Sequence, residues 1–438
     1  MNQDILKQVV VDQREMYLDV PFVHRKYLME DGVNYCFVGI RRSGKSTLMY
    51  QRIHDLLDRG VPLGRIIYVN FEDERLMEMT AADLNLILEV GYELSGGEKP
   101  YVFLDEIQNV EGWSKFARRI ADQKYPVCIT GSNSKMLSSG IASTLGGRYM
   151  IIPVYPYAFR EYLHAEGTNV AALSPLGTKQ KAEVMRLYGQ YLQYGAFPEL
   201  VHVSSKRDYL TSIYQTVYLG DIVTRNHISN SFAVRLILKK VAEIVGHPLS
   251  FSRLYNIVTG TGIRMSKQTV IDYVGHIIDS YLLFPVQNYA AKLLERESAP
   301  KYYFMDTGFL GLFLLDCKTV QLENLVAIEL IRRYGKENIY YFERNIGIDF
   351  YVPSDRLAIQ VSWSMLENDA TRSREIGTFV KLHSFLPSAR CLAITHREKT
   401  ELHVDGMQVS VVPAWEWLLE ERSEPDANAS VTNGTGNS

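Results

Sequence analysis

The chain has 438 residues, of which 46% are hydrophobic and 22% are charged, a composition that excludes collagen-like, disulfide-rich and wholly disordered proteins. Its formal net charge of −3 gives no indication of a protein that binds nucleic acids or membranes through bulk charge. Scattered cysteines, no signal sequence and no long apolar segment predict a cytoplasmic protein without a membrane contact. The length predicts roughly two to four domains.

Residues 15–160 alternate short apolar runs with longer helical patterns, which is typical of helices packed around a parallel sheet. We therefore predict an α/β fold for this part of the chain and interpret it as one nucleotide-binding domain. Its predicted strands are residues 34–38, 66–71, 101–104, 127–130 and 148–154.

The rest of the chain changes character several times. Residues 161–230 are predicted to form a helical subdomain. Residues 231–306 contain helices and then paired strands, an order typical of a winged helix. Mixed α/β patterning returns over 307–422, and 423–438 are predicted to be a disordered tail. The predicted strands of the 307–422 region lie near 340–343, 348–352, 357–361 and 391–395, with a helix between the last two.

The strongest motif is GIRRSGKS at residues 39–46, a complete G-x-x-x-x-G-K-S sequence between an apolar strand and a helix. Such a loop turns its backbone N–H groups toward a phosphate at a helix N-terminus. We expect Lys45 to contact the β and γ phosphates of ATP and the Ser46 hydroxyl to bind Mg²⁺. The predicted nucleotide-binding residues are Gly39, Arg41, Arg42, Ser43, Gly44, Lys45, Ser46 and Thr47.

Two carboxylates follow the apolar run at residues 101–104. Parallel sheets place ligands beyond the carboxyl ends of their strands, so we expect Asp105 to bind Mg²⁺ through water and Glu106 to polarise the attacking water. The adjacent second carboxylate favours hydrolysis over transfer to another acceptor.

Two further polar residues are candidates for catalysis. Asn133 follows the fourth predicted strand and is predicted to sense the γ-phosphate or the attacking water, with Ser132 and a plain turn as alternatives. Arg148 opens the fifth strand and is predicted to stabilise transition-state charge, either in its own site or in the site of a neighbouring chain. A neighbour's site would imply a homo-oligomer, whereas an ordinary surface arginine is equally open.

The order of these motifs resembles a large prokaryotic family with an AAA-type P-loop ATPase domain and a C-terminal domain of unknown function. The resemblance covers residues 15–422 and implies an ASCE-type ATPase core, with Asn133 as the sensor and Arg148 in the family's Gly-Arg position. It rests on the segments FVGIRRSGKSTLM, YVNFEDERL, YVFLDEIQNVEGW, YGAFPE, YLGDIV, YFMDTG and LENLVAIEL.

The C-terminal domains of family members resemble PD-(D/E)xK nucleases. Glu329, Asp349 and Gln360 match the metal-binding positions of that pattern, but Ser362 replaces the lysine that would activate water. The resemblance therefore implies a small nuclease-like α/β domain that is catalytically degenerate and binds DNA or a protein.

The winged-helix region makes DNA a possible partner, with residues 266–280 as the recognition helix. Residues 245–285 contain three basic residues, Arg253, Arg264 and Lys267, and two acidic ones, a small net charge for phosphate contacts, so a protein contact is equally open. We predict a Mg²⁺-dependent ATPase that couples nucleotide state to a DNA or protein partner. The alternatives are a nucleotide-gated DNA-binding regulator with incidental hydrolysis and an ATP-coupled nuclease.

Overall fold

The computed structural model describes residues 1–132, 144–170, 176–292, 296, 299–367 and 369–420. Its N-terminal part contains a five-stranded sheet in the order β2-β3-β4-β1-β5, in which every neighbouring pair is parallel. The strands are β1 (Asn34–Val38), β2 (Ile66–Asn70), β3 (Tyr101–Asp105), β4 (Val127–Gly131) and β5 (Tyr149–Pro153), and the helices are α1 (Gln3–Asp12), α2 (Glu15–Leu18), α3 (Lys45–Asp58), α4 (Leu86–Leu94) and α5 (Trp113–Asp122).

Helices cover both faces of this sheet and produce two separate hydrophobic cores. One core includes residues of α1, α4 and α5, and the other includes residues of α2 and α3. The central strands are therefore buried on both faces, which is why they occur in the sequence as continuous apolar runs. The predicted α/β class and the parallel P-loop NTPase core are confirmed.

Helices follow the first sheet, as predicted. Asn230, Ser250 and Ser266 each accept a backbone N–H bond at the start of a helix, as N-cap residues do. A π-helix at Thr216–Thr224 interrupts the series. The helices are α6 (Phe159–Ala165), α7 (Thr178–Tyr194), α8 (Lys206–Gln215), α9 (Ser231–Glu243), α10 (Phe251–Gly260) and α11 (Lys267–Asp279).

A second sheet has eight strands in the order β12-β13-β11-β10-β9-β8-β6-β7. The hairpin of β6 and β7 belongs to it, because β6 pairs with β8. The predicted boundary at residue 306 therefore divides the strands of one sheet. The elements are β6 (Leu283–Asn288), β7 (Lys301–Phe304), α12 (Leu310–Phe313), α13 (Lys318–Tyr334), β8 (Tyr340–Glu343), β9 (Gly347–Val352), β10 (Leu357–Ser362), α14 (Asp369–His383), β11 (Arg390–Thr395), β12 (Thr400–Val404), β13 (Met407–Pro413) and α15 (Ala414–Leu419).

One hydrophobic core joins the helices after β5 to the second sheet, from α6 to α15. Asp306 strengthens this connection, since its carboxylate accepts the backbone N–H groups of Ala196 and Gly308, both at 2.8 Å. The YGAFPE and YFMDTG segments thus meet in space. The predicted tail, 423–438, lies outside the described residues, and no helix within the described part has the length and hydropathy needed to cross a bilayer.

Candidate functional site

The phosphate loop, residues 39–46, connects β1 to α3. Gly39 lies so close to the end of β5 that a Cβ atom would come within 2.2 Å of the Val154 carbonyl oxygen. Gly44 has a φ of 94°, a left-handed conformation that glycine adopts most easily. These two residues allow the chain to curl tightly before α3, so that the loop and the helix N-terminus form an anion-binding concavity.

Lys45 lies inside the phosphate loop and is only 4% exposed. Its Nζ donates to the carbonyl oxygens of Gly39 at 3.2 Å and Ile40 at 3.1 Å. The same nitrogen lies 3.8 Å from Glu106 Oε1. One ammonium group therefore faces both the loop and the acidic pair at the end of β3, where it can bind phosphate oxygens.

Asp105 ends β3, and three hydroxyl groups surround its carboxylate. Tyr68 donates to Oδ2 at 2.7 Å, Thr130 donates to Oδ1, and Ser46 also hydrogen-bonds to this carboxylate. Burial and the neighbouring Glu106 raise the pKa of Asp105 above its ordinary value. A divalent cation between Ser46 and Asp105 would favour the ionised carboxylate. These two oxygen donors fit Mg²⁺, which typically takes few protein ligands besides phosphates and water.

Glu106 is held beside Lys45 in an unusual backbone conformation. Its φ of 53° and ψ of 40° are costly for a residue other than glycine and often occur at functional sites. Its N–H donates to Thr130 Oγ1 at 2.8 Å. Burial would raise the pKa of this carboxyl, but the Lys45 charge, a Gln108 hydrogen bond and the Arg41 charge lower it. Glu106 is therefore an oriented carboxylate that can accept a proton from water.

Arg41, in the phosphate loop, makes two ion pairs that the sequence reasoning missed. Its Nε donates to Asp221 Oδ2 at 2.9 Å, and its Nη1 donates to Glu72 Oε1 at 2.8 Å. Asp221 lies in the π-helix, and Arg225 Nη2 is 3.2 Å from its other oxygen. A carboxylate from the helical region therefore reaches the phosphate loop. Its only signal in the sequence was its place in the YLGDIV segment.

Arg25, like Asp221, is a residue near the phosphate loop that the sequence analysis did not single out. It is 3% exposed, and its Nη1 donates to the Ser43 carbonyl oxygen at 3.2 Å. The Gln51 side chain accepts the Arg25 N–H at 2.8 Å and donates to its carbonyl oxygen at 2.9 Å. Arg25 thus stabilises the backbone of the phosphate loop through a buried hydrogen bond. A single arginine outside any motif gives no sequence signal for this role.

A cleft of about 360 Å³ opens between the phosphate loop and the helical region. Its volume lies within the range of small-molecule sites. Arg42 and Glu199 face each other across 3.4 Å and both line it. The cleft is also lined by the site residues Arg41, Gly44, Lys45, Ser46, Thr47, Asp105 and Glu106, and by Tyr209, Ser212, Ile213 and Thr216 of α8 and the π-helix.

Gly39 and Ser43 belong to the loop but are not among the residues that line the cleft. Asn133 lies outside the described residues.

Arg148 precedes β5 at the amino edge of the sheet, about 16 Å from the loop for a five-residue strand, and donates to Asp122 Oδ1 at 2.6 Å. This placement does not favour a role of Arg148 in its own chain's site. Its role in a neighbour's site stays a prediction.

The residues predicted from the nuclease resemblance come together only in part. Asp349 donates its N–H to Gln360 Oε1 at 2.8 Å, so these two lie side by side. Glu329 instead pairs with Arg332 at 2.6 Å and with Arg333 at 2.7 Å on its own helix. The structure therefore pairs Glu329 with arginines of its own helix.

Glu323, earlier on α13, shares the cation of Lys301 with Asp349. Lys301 Nζ lies 3.5 Å from Asp349 Oδ1 and 3.8 Å from Glu323 Oε1. Burial and Asp349 raise the pKa of Glu323. Ser362, which replaces the nuclease lysine, donates to the Ser364 carbonyl oxygen. In the described part of the chain, no group of three or more His, Cys, Asp and Glu residues has the arrangement of a metal site.

Two family models match parts of the chain. Residues 34–163 match the family model of an AAA domain, and residues 185–319 match a domain of unknown function (DUF8612). The fold and the phosphate loop therefore define a protein with an AAA-class P-loop NTPase core.

An uncharacterized protein of Haemophilus influenzae is 30% identical over 394 residues, which cover 87% of this chain and 93% of that protein. The chain belongs to the family of this protein. Uncharacterized protein MJ1544 of Methanocaldococcus jannaschii is 28% identical over 432 residues, 95% of each chain.

Two solved structures are also similar. The Aeropyrum pernix Orc1 protein in complex with DNA has 15% identity and a TM-score of 0.29, and the match covers 76% of this chain and 92% of that one. AMPPCP-bound DnaA from Aquifex aeolicus has 14% identity and a TM-score of 0.25, with coverage of 59% and 93%.

Proposed function

We propose that the protein is a Mg²⁺-dependent ATPase whose site is the cleft beside the phosphate loop. One observation carries this proposal: the Lys45 ammonium, the hydrogen-bonded pair of Ser46 and Asp105, and the Glu106 carboxylate converge at the carboxyl edge of the sheet. This arrangement supplies a cation that can bind phosphate, oxygen ligands for a metal ion and a base that can accept a proton from water. These are the parts that hydrolysis of a phosphoanhydride needs.

Each residue has a distinct task in this proposal. Lys45 leaves its carbonyl partners in the loop and binds the β and γ phosphates. Ser46 and Asp105 hold Mg²⁺, which neutralises phosphate charge when bound. Glu106 orients the attacking water and accepts its proton, since its carboxylate is ionised and its backbone is fixed by Thr130.

The proposal extends to a DNA or protein partner that receives the nucleotide state through the C-terminal half. Two contacts support such coupling: Arg41 pairs with Asp221, and Arg42 pairs with Glu199. Both acidic residues lie in the helical region, which shares its hydrophobic core with the second sheet. Movement of the loop would therefore be transmitted to residues far beyond the AAA domain.

Phosphate release from ATP by the full-length chain tests the proposal. We expect release with Mg²⁺ and none after chelation by EDTA. The rate per chain, measured over a range of protein concentrations with and without duplex DNA, identifies the partner class. A rate that increases with concentration would support a homo-oligomer with Arg148 in a neighbour's site. No release under any of these conditions would contradict the proposed activity.

A further inference from the structure

Asp221 is a buried carboxylate between two arginines. It is 1% exposed, its Oδ2 accepts from Arg41 Nε at 2.9 Å, and its Oδ1 lies 3.2 Å from Arg225 Nη2. Burying a carboxylate is costly unless a cation with good geometry compensates the charge. Asp221 therefore fixes the Arg41 side chain more firmly than Glu72, the half-exposed second partner, could do alone.

The position of Asp221 depends on the π-helix at Thr216–Thr224. Such helices are rare and occur frequently at functional sites. Thr216 at the start of this segment lines the cleft. Asp221, in the same segment, accepts a hydrogen bond from Arg41 of the phosphate loop. The same short segment thus contributes to the lining of the cleft and holds a loop arginine that also lines it.

Arg41 itself lines the cleft, and its side chain retains 26% exposure. Two carboxylates hold its guanidinium at fixed distances, so it needs little reorganisation to act on an incoming anion. Preorganised cations of this kind stabilise the charge of a transferring phosphoryl group.

We propose that Asp221 is a positioning residue for ATP hydrolysis, which holds Arg41 where its guanidinium contacts the terminal phosphate in the transition state. This inference rests on the proposed ATPase function and deepens it. It also makes the helical region part of the catalytic machinery, because the carboxylate that positions the cation belongs to that region.

The test is a double-mutant cycle in the full-length chain, with kcat and KM for Mg²⁺-ATP as readouts. We expect Asp221→Asn to lower kcat by about tenfold or more and to change KM much less. Arg41→Met should lower kcat at least as much. The double variant should equal Arg41→Met within about twofold, since Asp221 acts through Arg41. Asp208→Asn, the same change at an exposed position of α8, is the matched control and should leave both constants unchanged.

A purely structural role of Asp221 would give a different result. Asp221→Asn would then lower the rate by the same factor in the Arg41→Met background as in the wild type, and this outcome would overturn the inference. Unchanged kcat in Asp221→Asn would also overturn it. Thermal unfolding checks the fold of each variant, and Asp221→Glu, which keeps the buried charge, gives a second variant for the same cycle if Asp221→Asn does not fold. Absence of ATP turnover in the wild type would instead contradict the proposed function.

Discussion

Arg25 donates from Nε and Nη2 to the two carboxylate oxygens of Glu161, at 3.0 and 2.9 Å. Its remaining nitrogen donates to the Ser43 carbonyl oxygen in the phosphate loop. One buried guanidinium therefore joins the N-terminal segment, the phosphate loop and α6. This contact ties the geometry of the nucleotide site to the stability of the fold.

Arg25→Met should lower the free energy of unfolding by about 3 kcal/mol, because it leaves the Glu161 carboxylate without its cation. Arg25→Met combined with Glu161→Gln should recover part of this loss, since no unpaired charge remains. Urea denaturation of the two variants and the wild type measures the difference. A loss below about 1 kcal/mol for Arg25→Met, typical of a surface pair, would contradict the assigned role.

Lys45→Ala should weaken ATP binding by about 10- to 100-fold, the range expected when a hydrogen bond to a charged group is lost. Titration calorimetry with ATP and Mg²⁺ measures this change. Lys115→Ala, at an exposed position of α5, serves as the control and should bind ATP like the wild type. Equal affinities for wild type and Lys45→Ala would place the nucleotide elsewhere.

The pKa of His396 determines part of the pH dependence of the free energy of unfolding. Its ring stacks on Trp363 with a centroid distance of 3.9 Å. Burial, with the nearby charges of Arg397 and Lys318, lowers its pKa from the ordinary 6.5 to about 4. Between these values the unfolded chain takes up the proton first, so the free energy of unfolding decreases as the pH falls.

We therefore expect the wild type to lose about 2 kcal/mol more than His396→Asn between pH 7.5 and pH 5. Urea denaturation at both pH values gives this difference, and the comparison cancels the titration of all other groups. Equal losses in the two proteins would show that the folded-state pKa of His396 is not depressed.

The features that the sequence reveals are local. The strands of the first sheet could be predicted because strands buried on both faces appear as apolar runs, and the phosphate loop because its eight residues are contiguous. The Arg41–Asp221 and Arg25–Glu161 pairs could not be predicted, since their partners lie 180 and 136 residues apart. Single charged residues at such distances leave no pattern.

Two other differences have distinct causes. The hairpin of β12 and β13 was missed although Asp405 and Gly406, with φ of 49° and 78°, form the Asp-Gly turn typical of hairpins. The nuclease resemblance points to Glu329 and not to Glu323, and α13 is buried on almost all sides. Periodicity therefore does not indicate which side of this helix faces Asp349.

The central claim is that Glu106 activates water in a site where Lys45 and the Ser46–Asp105 pair bind Mg²⁺-ATP. The most direct measurement compares ATP affinity and phosphate release for wild type, Glu106→Gln and Glu111→Gln, the last being an exposed control. The account predicts that Glu106→Gln binds ATP with unchanged or higher affinity and releases phosphate about 10²- to 10⁴-fold more slowly, while Glu111→Gln behaves like the wild type. Phosphate release by Glu106→Gln at the wild-type rate would contradict the account.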